Sequence, residues 1–297
     1  MEVLKVNNLS KSYKALKAVD NLSFTLESGE VYGILGPNGS GKTTTLAMLS
    51  GVVKPSSGTF SWFGTPLMSN QRRRLGVMLE KPNFYDYLSA VENLKIVADI
   101  RGVDYSEIDP TLKKVGLYER RKSRFKTFSL GMKQRLAIGA TILGNPEVLV
   151  LDEPTNGLDP EGIAEVRKLI IDLSKGGNTI ILASHLLDEV QKVCTQMIVL
   201  KKGVKIYQGN VSGVSDNETI IEVKADNNKA LLEVLQSSEN YHNYSIQDDL
   251  ILIRVSSDKT STDLNSYLHG NNIVLSHLAY RVKSLEENIF ELLNDVQ

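Results

Sequence analysis

The residues from Gly36 to Thr44, Gly-Pro-Asn-Gly-Ser-Gly-Lys-Thr-Thr, have the types and the spacing to hold a chain of phosphates. Backbone N–H groups can close round β- and γ-phosphates only where no Cβ stands in the way, and Gly36, Gly39 and Gly41 supply that freedom. Lys42 adds a point charge and Thr43 a hydroxyl suited to Mg²⁺, and a helix starting here points its positive end at the anion. Pro37, Asn38, Ser40 and Thr44 complete the loop. A chance glycine-rich turn is the alternative. The context argues against it: Val31–Leu35 reads as a buried strand and Lys42–Leu49 as a helix, the strand, loop and helix order that phosphate binding requires.

A second set of chemical groups stands at the ends of two further apolar runs. Val148–Leu151 is unbroken and is followed by Asp152-Glu153, two carboxylates at the C-terminal end of a buried strand. Open α/β sheets bind ligands at that edge, and adjacent acids are costly there unless a cation meets them. Mg²⁺ carried by ATP is the fitting cation: Asp152 would hold the metal and Glu153 would activate the attacking water. Two solvated acids are the plainer reading. Thr179–Ala183 ends in the same way at Ser184-His185, and His185 is either structural or a contact of the γ-phosphate.

The elements that must position these groups follow from periodicity. Val3–Tyr13, Leu22–Leu26, Thr59–Phe63 and Leu75–Leu79 read as strands, separated by turns such as Lys54-Pro55-Ser56-Ser57-Gly58. From Ser89 to about Leu143 the apolar spacing is helical, which suggests a helical lobe inserted between strand-forming regions. After Gly157-Leu158-Asp159-Pro160, a helix spans about Gly162–Ser174. The 297 residues suffice for about two domains, and 34 basic against 35 acidic residues leave no basic footprint for nucleic acid. The single cysteine, Cys194, fits a reducing compartment and a core thiol. No apolar run approaches the roughly 18 residues that cross a bilayer, and the N-terminus opens on a strand-like pattern, so the chain is expected to be soluble and to reach any membrane through a partner.

Taken together, the motifs over about Val3–Gly213 resemble the ATP-binding subunit of an ABC transporter. They are the aromatic Tyr13, the P-loop Gly36–Thr44, a signature at Ser129–Lys133, a Walker B strand at Val148–Glu153, the Asp159 loop and the switch histidine His185. The resemblance implies that Tyr13 lies under the base, although a surface or core tyrosine fits the residue equally well. It further implies that Ser129, Gly131 and Asp159 contact nucleotide, and that Glu80, standing where the family usually has Gln, contacts Mg²⁺. The signature departs from the family's Leu-Ser-Gly-Gly-Gln, keeping Ser129 and Gly131 but placing Phe128, Leu130 and Met132 around them. The stretches GVMLEKPNFYDYLSAVENL and FSLGMKQRLAIGATILGNPEVLVLDEPTNGLDP resemble bacterial ATPases that serve separate membrane subunits in bacitracin resistance and lantibiotic immunity.

The implied architecture is an α/β P-loop NTPase core of the ABC ATPase type over residues 1–214, with a helical subdomain at about 81–145. Residues 215–297 would form a small α+β accessory domain. Its pattern is strand (Thr219–Lys224), helix (Asn228–Leu235), hairpin (Tyr244–Ile246 and Leu250–Val255), helix (Ser261–Leu268) and strand (Ile273–Leu278), which suggests a ferredoxin-like fold, closed by an amphipathic helix over Ser284–Phe290. The expected cofactors are ATP and Mg²⁺, with Lys42, Glu153 and His185 as catalytic residues. The expected partners are a separate transmembrane permease and a second ATPase subunit, for which a homodimer would suffice, at the cytoplasmic face of the cell membrane. A soluble ABC-type ATPase acting on ribosomes or DNA is the rival reading. A GTPase or small-molecule kinase would leave Asp159, His185 and the signature unexplained.

Overall fold

The alternating residues at the N-terminus form a long antiparallel hairpin, β1 (Glu2–Tyr13) with β2 (Leu16–Glu27), and its inward side chains Leu4, Val6, Leu22 and Leu26 are buried. This computed structural model describes residues 1–79, 83–214, 219–255, 259–282 and 287–289. The chain divides into two compact units, Met1–Val211 and Ser212–Gln297.

In the first unit β3 (Val31–Leu35) leads through the glycine loop into α1 (Lys42–Leu49), as the sequence predicts. Strand β4 (Ser57–Trp62) joins β1 at its free edge, so one sheet runs β2-β1-β4. Helix α2 (Ser69–Arg73) and strand β5 (Leu75–Met78) follow, and then the helical insertion: α3 (Ala90–Arg101), α4 (Ile108–Lys114) and α5 (Leu130–Ile142). Ser89 begins α3 with a capping box to Glu92, and Gly102 ends it in the left-handed conformation. Arg101, at the end of α3, donates to the carbonyls of Leu75, Ala140 and Thr141, tying the insertion to the sheet, and burial lowers its pKa.

The chain then returns through β6 (Val148–Asp152), α6 (Pro160–Lys175), β7 (Thr179–Ser184), α7 (Leu187–Val193), β8 (Gln196–Lys201) and β9 (Val204–Asn210). The second sheet has the order β5-β6-β7-β3-β8-β9, parallel except for the last pair. Its central strands β3, β6 and β7 are buried at every residue, which is why they read as continuous apolar runs. The two sheets enclose the core and α1 lies within it. Trp62, fully buried, donates its indole N–H to the Leu49 carbonyl at 2.9 Å and so closes the C-terminal end of α1.

The second unit contains β10 (Thr219–Ala225), α8 (Asn228–Gln236), β11 (Tyr244–Gln247), β12 (Leu250–Val255), α9 (Ser261–Gly270) and β13 (Leu275–Val282). Its sheet runs β11-β12-β10-β13 with every pair antiparallel. Ile221, Val223, Ile251 and Ile253 on one face pack with Leu231, Leu235, Leu264 and Leu268 of the helices. The last strand begins two residues later than the pattern at Ile273 suggests, because Asn271 and Asn272 end α9 in a turn. Of the closing helix expected over Ser284–Phe290, residues 287–289 are helical and the others lie outside the described residues.

Candidate functional site

β3 delivers the glycine loop to the C-terminal edge of the parallel sheet, β6 delivers Asp152 and Glu153, and β7 delivers His185. Gly36, Gly39 and Gly41 have φ of 157°, 80° and 101°. Gly41 has two reasons to lack a side chain: its φ is positive, and a Cβ would stand 2.5 Å from the Ala18 carbonyl. It is also the N-cap of α1 and offers no side chain to the first N–H groups of the helix, which are left to face the loop's concavity. That cradle, with a lysine at its mouth, fits the polyphosphate of a nucleotide.

Lys42 is 6% exposed, and its ammonium donates to the carbonyls of Gly36 at 2.8 Å and Pro37 at 3.4 Å. Its third neighbour is Glu153, whose Oε1 lies 3.6 Å away. The other oxygen of Glu153, Oε2, lies 2.8 Å from Nδ1 of His185. One carboxylate therefore bridges the P-loop lysine and the histidine beyond β7. Glu153 reaches both from a left-handed backbone, φ 48°, an uncommon conformation for a residue with a side chain, and its N–H is fixed to the Ala183 carbonyl of β7. Asp152, the last residue of β6, is 2% exposed.

An open cleft of about 760 Å³ joins these groups. Tyr13, Asn38–Thr44, Glu153 and His185 line it together. Tyr13, 45% exposed at the tip of the first hairpin, supplies an aromatic wall. Leu16, Lys17, Ala18, Asn156 and Lys202 also line the cleft and were not singled out from the sequence. Lys202 lies between β8 and β9, two strands whose apolar pattern carried no motif; the Lys-Gly pair separating them is the signal that could have marked a hairpin turn there.

Ser129, Gly131 and Asp159 are brought together, but not in this cleft. They line a second one of about 440 Å³. Ser129 is the N-cap of α5, its Oγ accepting from Met132 N–H at 3.2 Å, and Asp159 is the N-cap of α6, accepting from Gly162 N–H at 2.9 Å. Leu130, one of the departures from the usual signature, is 48% exposed on the wall of this second cleft. Glu80, expected to contact Mg²⁺, lies outside the described residues. Among the described residues no three His, Cys, Asp or Glu side chains group as a metal cage. Mg²⁺ bound with a nucleotide needs none, because phosphates and water supply most of its ligands.

Comparison with known proteins places the chain in a family. The ABC transporter family model matches residues 19–156. The bacitracin transport ATP-binding protein BcrA of Bacillus licheniformis is 38% identical over 298 residues, covering 98% of this chain and 97% of its own length. The lantibiotic transport ATP-binding protein SrtF of Streptococcus pyogenes is 39% identical over 231 residues, 78% of this chain and 99% of its own. Among solved structures, cbiO1 of Clostridium perfringens, part of the ABC transporter complex cbiONQ, matches with a TM-score of 0.63 and 32% identity over 70% of this chain and 88% of its own. No helix among the described residues is long and apolar enough to cross a membrane. The chain belongs to the ABC transporter family, as one of its ATP-binding and ATP-hydrolysing proteins.

Proposed function

We propose that the chain is the ATP-hydrolysing motor of a bacterial exporter that removes antimicrobial peptides, and that it drives a separate transmembrane subunit by closing, with ATP, onto a second copy of itself. The observation that carries the dimer is the division of the site residues over two clefts: the P-loop, Glu153 and His185 in one, Ser129, Gly131 and Asp159 in the other. Each cleft holds half of the contacts a γ-phosphate needs. A two-fold arrangement would bring the second cleft of one copy over the first cleft of its partner, twice. Export of peptides is supported by the similarity to BcrA along nearly the whole chain.

In this reading the loop from Gly36 to Thr44 holds the β- and γ-phosphates, Lys42 releases Glu153 to pair with them, and Tyr13 stacks under the base. Thr43 and Asp152 would hold Mg²⁺, with Glu80 as a further oxygen ligand. The ion supplies charge neutralisation at the phosphates. Glu153 orients water for in-line attack on the γ-phosphorus and accepts its proton as the bond to the β,γ-bridging oxygen breaks, leaving ADP and phosphate. His185 holds Glu153 through Nδ1 and meets the γ-phosphate as the dimer closes. Loss of that phosphate removes the contacts across the dimer, and opening is the mechanical output. We place the motor on the inner face of the cell membrane. The second unit, whose strand order and antiparallel pairing support a ferredoxin-like fold, serves as a docking or dimer-stabilising accessory.

The test is affinity capture of the Glu153→Gln variant with MgATP from detergent-solubilised membranes, with the soluble fraction beside it. Recovery of a polytopic membrane protein near one-to-one stoichiometry is expected. Recovery only with ribosomes or soluble proteins would overturn the transport role and leave the ATP chemistry standing.

A further inference from the structure

The turn between β8 and β9 carries a cation to the wall of the nucleotide cleft. Lys202 and Gly203 both have positive φ, 48° and 83°, the conformation of a two-residue hairpin turn of type I′. Asparagine or glycine is the ordinary occupant of the first position, and a lysine there is uncommon. The turn is also fixed from both sides. Gly203 N–H donates to the carbonyl of Ser40 in the P-loop at 3.0 Å, and Asp20 N–H of β2 donates to the Gly203 carbonyl at 2.8 Å. A Cβ on Gly203 would stand 2.8 Å from the Ala18 carbonyl, so the turn sits directly on the strand that follows the first hairpin tip.

Lys202 is thus held between two kinds of wall. On one side lie Tyr13, Leu16 and Ala18, aromatic or apolar and suited to a base; on the other lies the P-loop, whose Ser40 carbonyl accepts from Gly203 N–H. Of the two lysines on this wall, Lys17 already shares its charge with Asp20 at 2.6 Å. Lys202 makes no ion pair among the described residues. The only anions a nucleotide brings are its phosphates. The β- and γ-phosphates belong to Lys42 and the loop's N–H groups, and the phosphate between them and the base is the α-phosphate.

We infer that Lys202 is a further nucleotide-binding residue, a cation directed at the α-phosphate from the β8–β9 turn. The inference rests on the reading of the cleft as the ATP site. It makes the residue indifferent to the γ-phosphate: Lys202 binds ATP and ADP alike, and so holds the nucleotide through the whole cycle. The P-loop and Glu153 respond to which nucleotide is present, whereas Lys202 responds to whether one is present at all.

The experiment is calorimetric titration of the full-length protein with ATP, ADP and inorganic tripolyphosphate, for wild type, Lys202→Asn, Lys202→Arg and Lys42→Ala. Asparagine suits the left-handed turn, so Lys202→Asn removes the charge without disturbing the hairpin, and an unchanged melting temperature without ligand verifies this. The expected result is a rise in Kd of roughly three- to tenfold for both ATP and ADP. Lys202→Arg should stay near wild type, and tripolyphosphate, which keeps a phosphate in the α position, should lose affinity for Lys202→Asn by a similar factor. Nucleotide affinities of Lys202→Asn equal to those of wild type would overturn the inference, as would an equal loss in Lys202→Arg or tripolyphosphate binding unaltered by Lys202→Asn. Wild-type binding that survives Lys42→Ala undiminished would instead refute the cleft as the ATP site, and this inference with it.

Discussion

Replacing Glu153 by glutamine keeps the shape of the side chain and removes the charge that Lys42 faces in the absence of nucleotide. The two groups lie 3.6 Å apart with Lys42 buried. A Coulomb energy of about 4 kcal/mol applies at this range with an effective dielectric near 20. Desolvation opposes it, and Lys42 retains its two carbonyl partners, which leaves a net loss of about 2 kcal/mol in the nucleotide-free protein. For a unit of this size the melting temperature should fall by about 4–8 °C. The bound state does not share the loss, because a phosphate takes the place of the carboxylate opposite Lys42. ATP should therefore bind roughly thirtyfold more tightly, the same 2 kcal/mol seen from the other side. Turnover should drop by about 10²–10⁴-fold as the base is lost. Scanning fluorimetry with and without MgATP, calorimetric titration and phosphate release together read all three. An unchanged melting temperature with unchanged affinity would refute the resting ion pair, and undiminished turnover would refute the catalytic role of Glu153.

Arg167 and Glu189 form a two-point ion pair, 2.6 and 3.3 Å, that joins α6 to α7, with Glu189 buried. Arg167→Met should destabilise the protein by about 3 kcal/mol by leaving a buried carboxylate unpaired, and Glu189→Met added to it should recover most of that loss in a double-mutant cycle of denaturant unfolding. Burial pushes the Cys194 thiol up to about 12 from 9.0, so it should resist iodoacetamide at pH 8 in the folded protein and react once urea unfolds it. Between those two values the unfolded state holds fewer protons than the folded one. Stability should accordingly fall as pH rises above about 9, and a Cys194→Ala control should lack that component of the decline. A chain ending at Val211 keeps the core of the first unit and every described residue of the first cleft, so it should melt cooperatively and bind ATP within about threefold of the full chain; equilibrium dialysis checks this.

Much of the site was legible because its chemistry is written in contiguous residues. Gly36–Thr44, Asp152-Glu153 and His185 each follow an apolar run, and a run buried on both faces ends where a parallel sheet presents its ligands. The strand and helix at the P-loop match the sequence pattern to the residue. Less was legible where the signal lies in an encounter between distant segments. Nothing in Lys201-Lys202-Gly203 announces that the turn will rest on Ser40 and Ala18, and the edge strand β9, buried at none of its residues, offers no long apolar run. The left-handed backbone of Glu153 was likewise hidden, since glutamate has no local preference for it. Only the bond from its N–H to Ala183, on the neighbouring strand, accounts for it.

The place of β3 in the sheet has a consequence for how the protein is made. It pairs in register with β7 through Val31 and Ile180 and with β8 through Tyr32 and Gln196. On a ribosome, Val-Tyr-Gly-Ile-Leu emerges early, and roughly 150 further residues must be synthesised before its first partner in the sheet exists, about ten seconds or more at usual rates. Over that interval an entirely apolar strand has no edge to join, and the glycine loop behind it cannot be fixed by Gly203, which comes later still. The nascent chain is therefore unable to hold nucleotide until almost the whole first unit has appeared, and β3 is the segment on which chaperone dependence of biogenesis should concentrate.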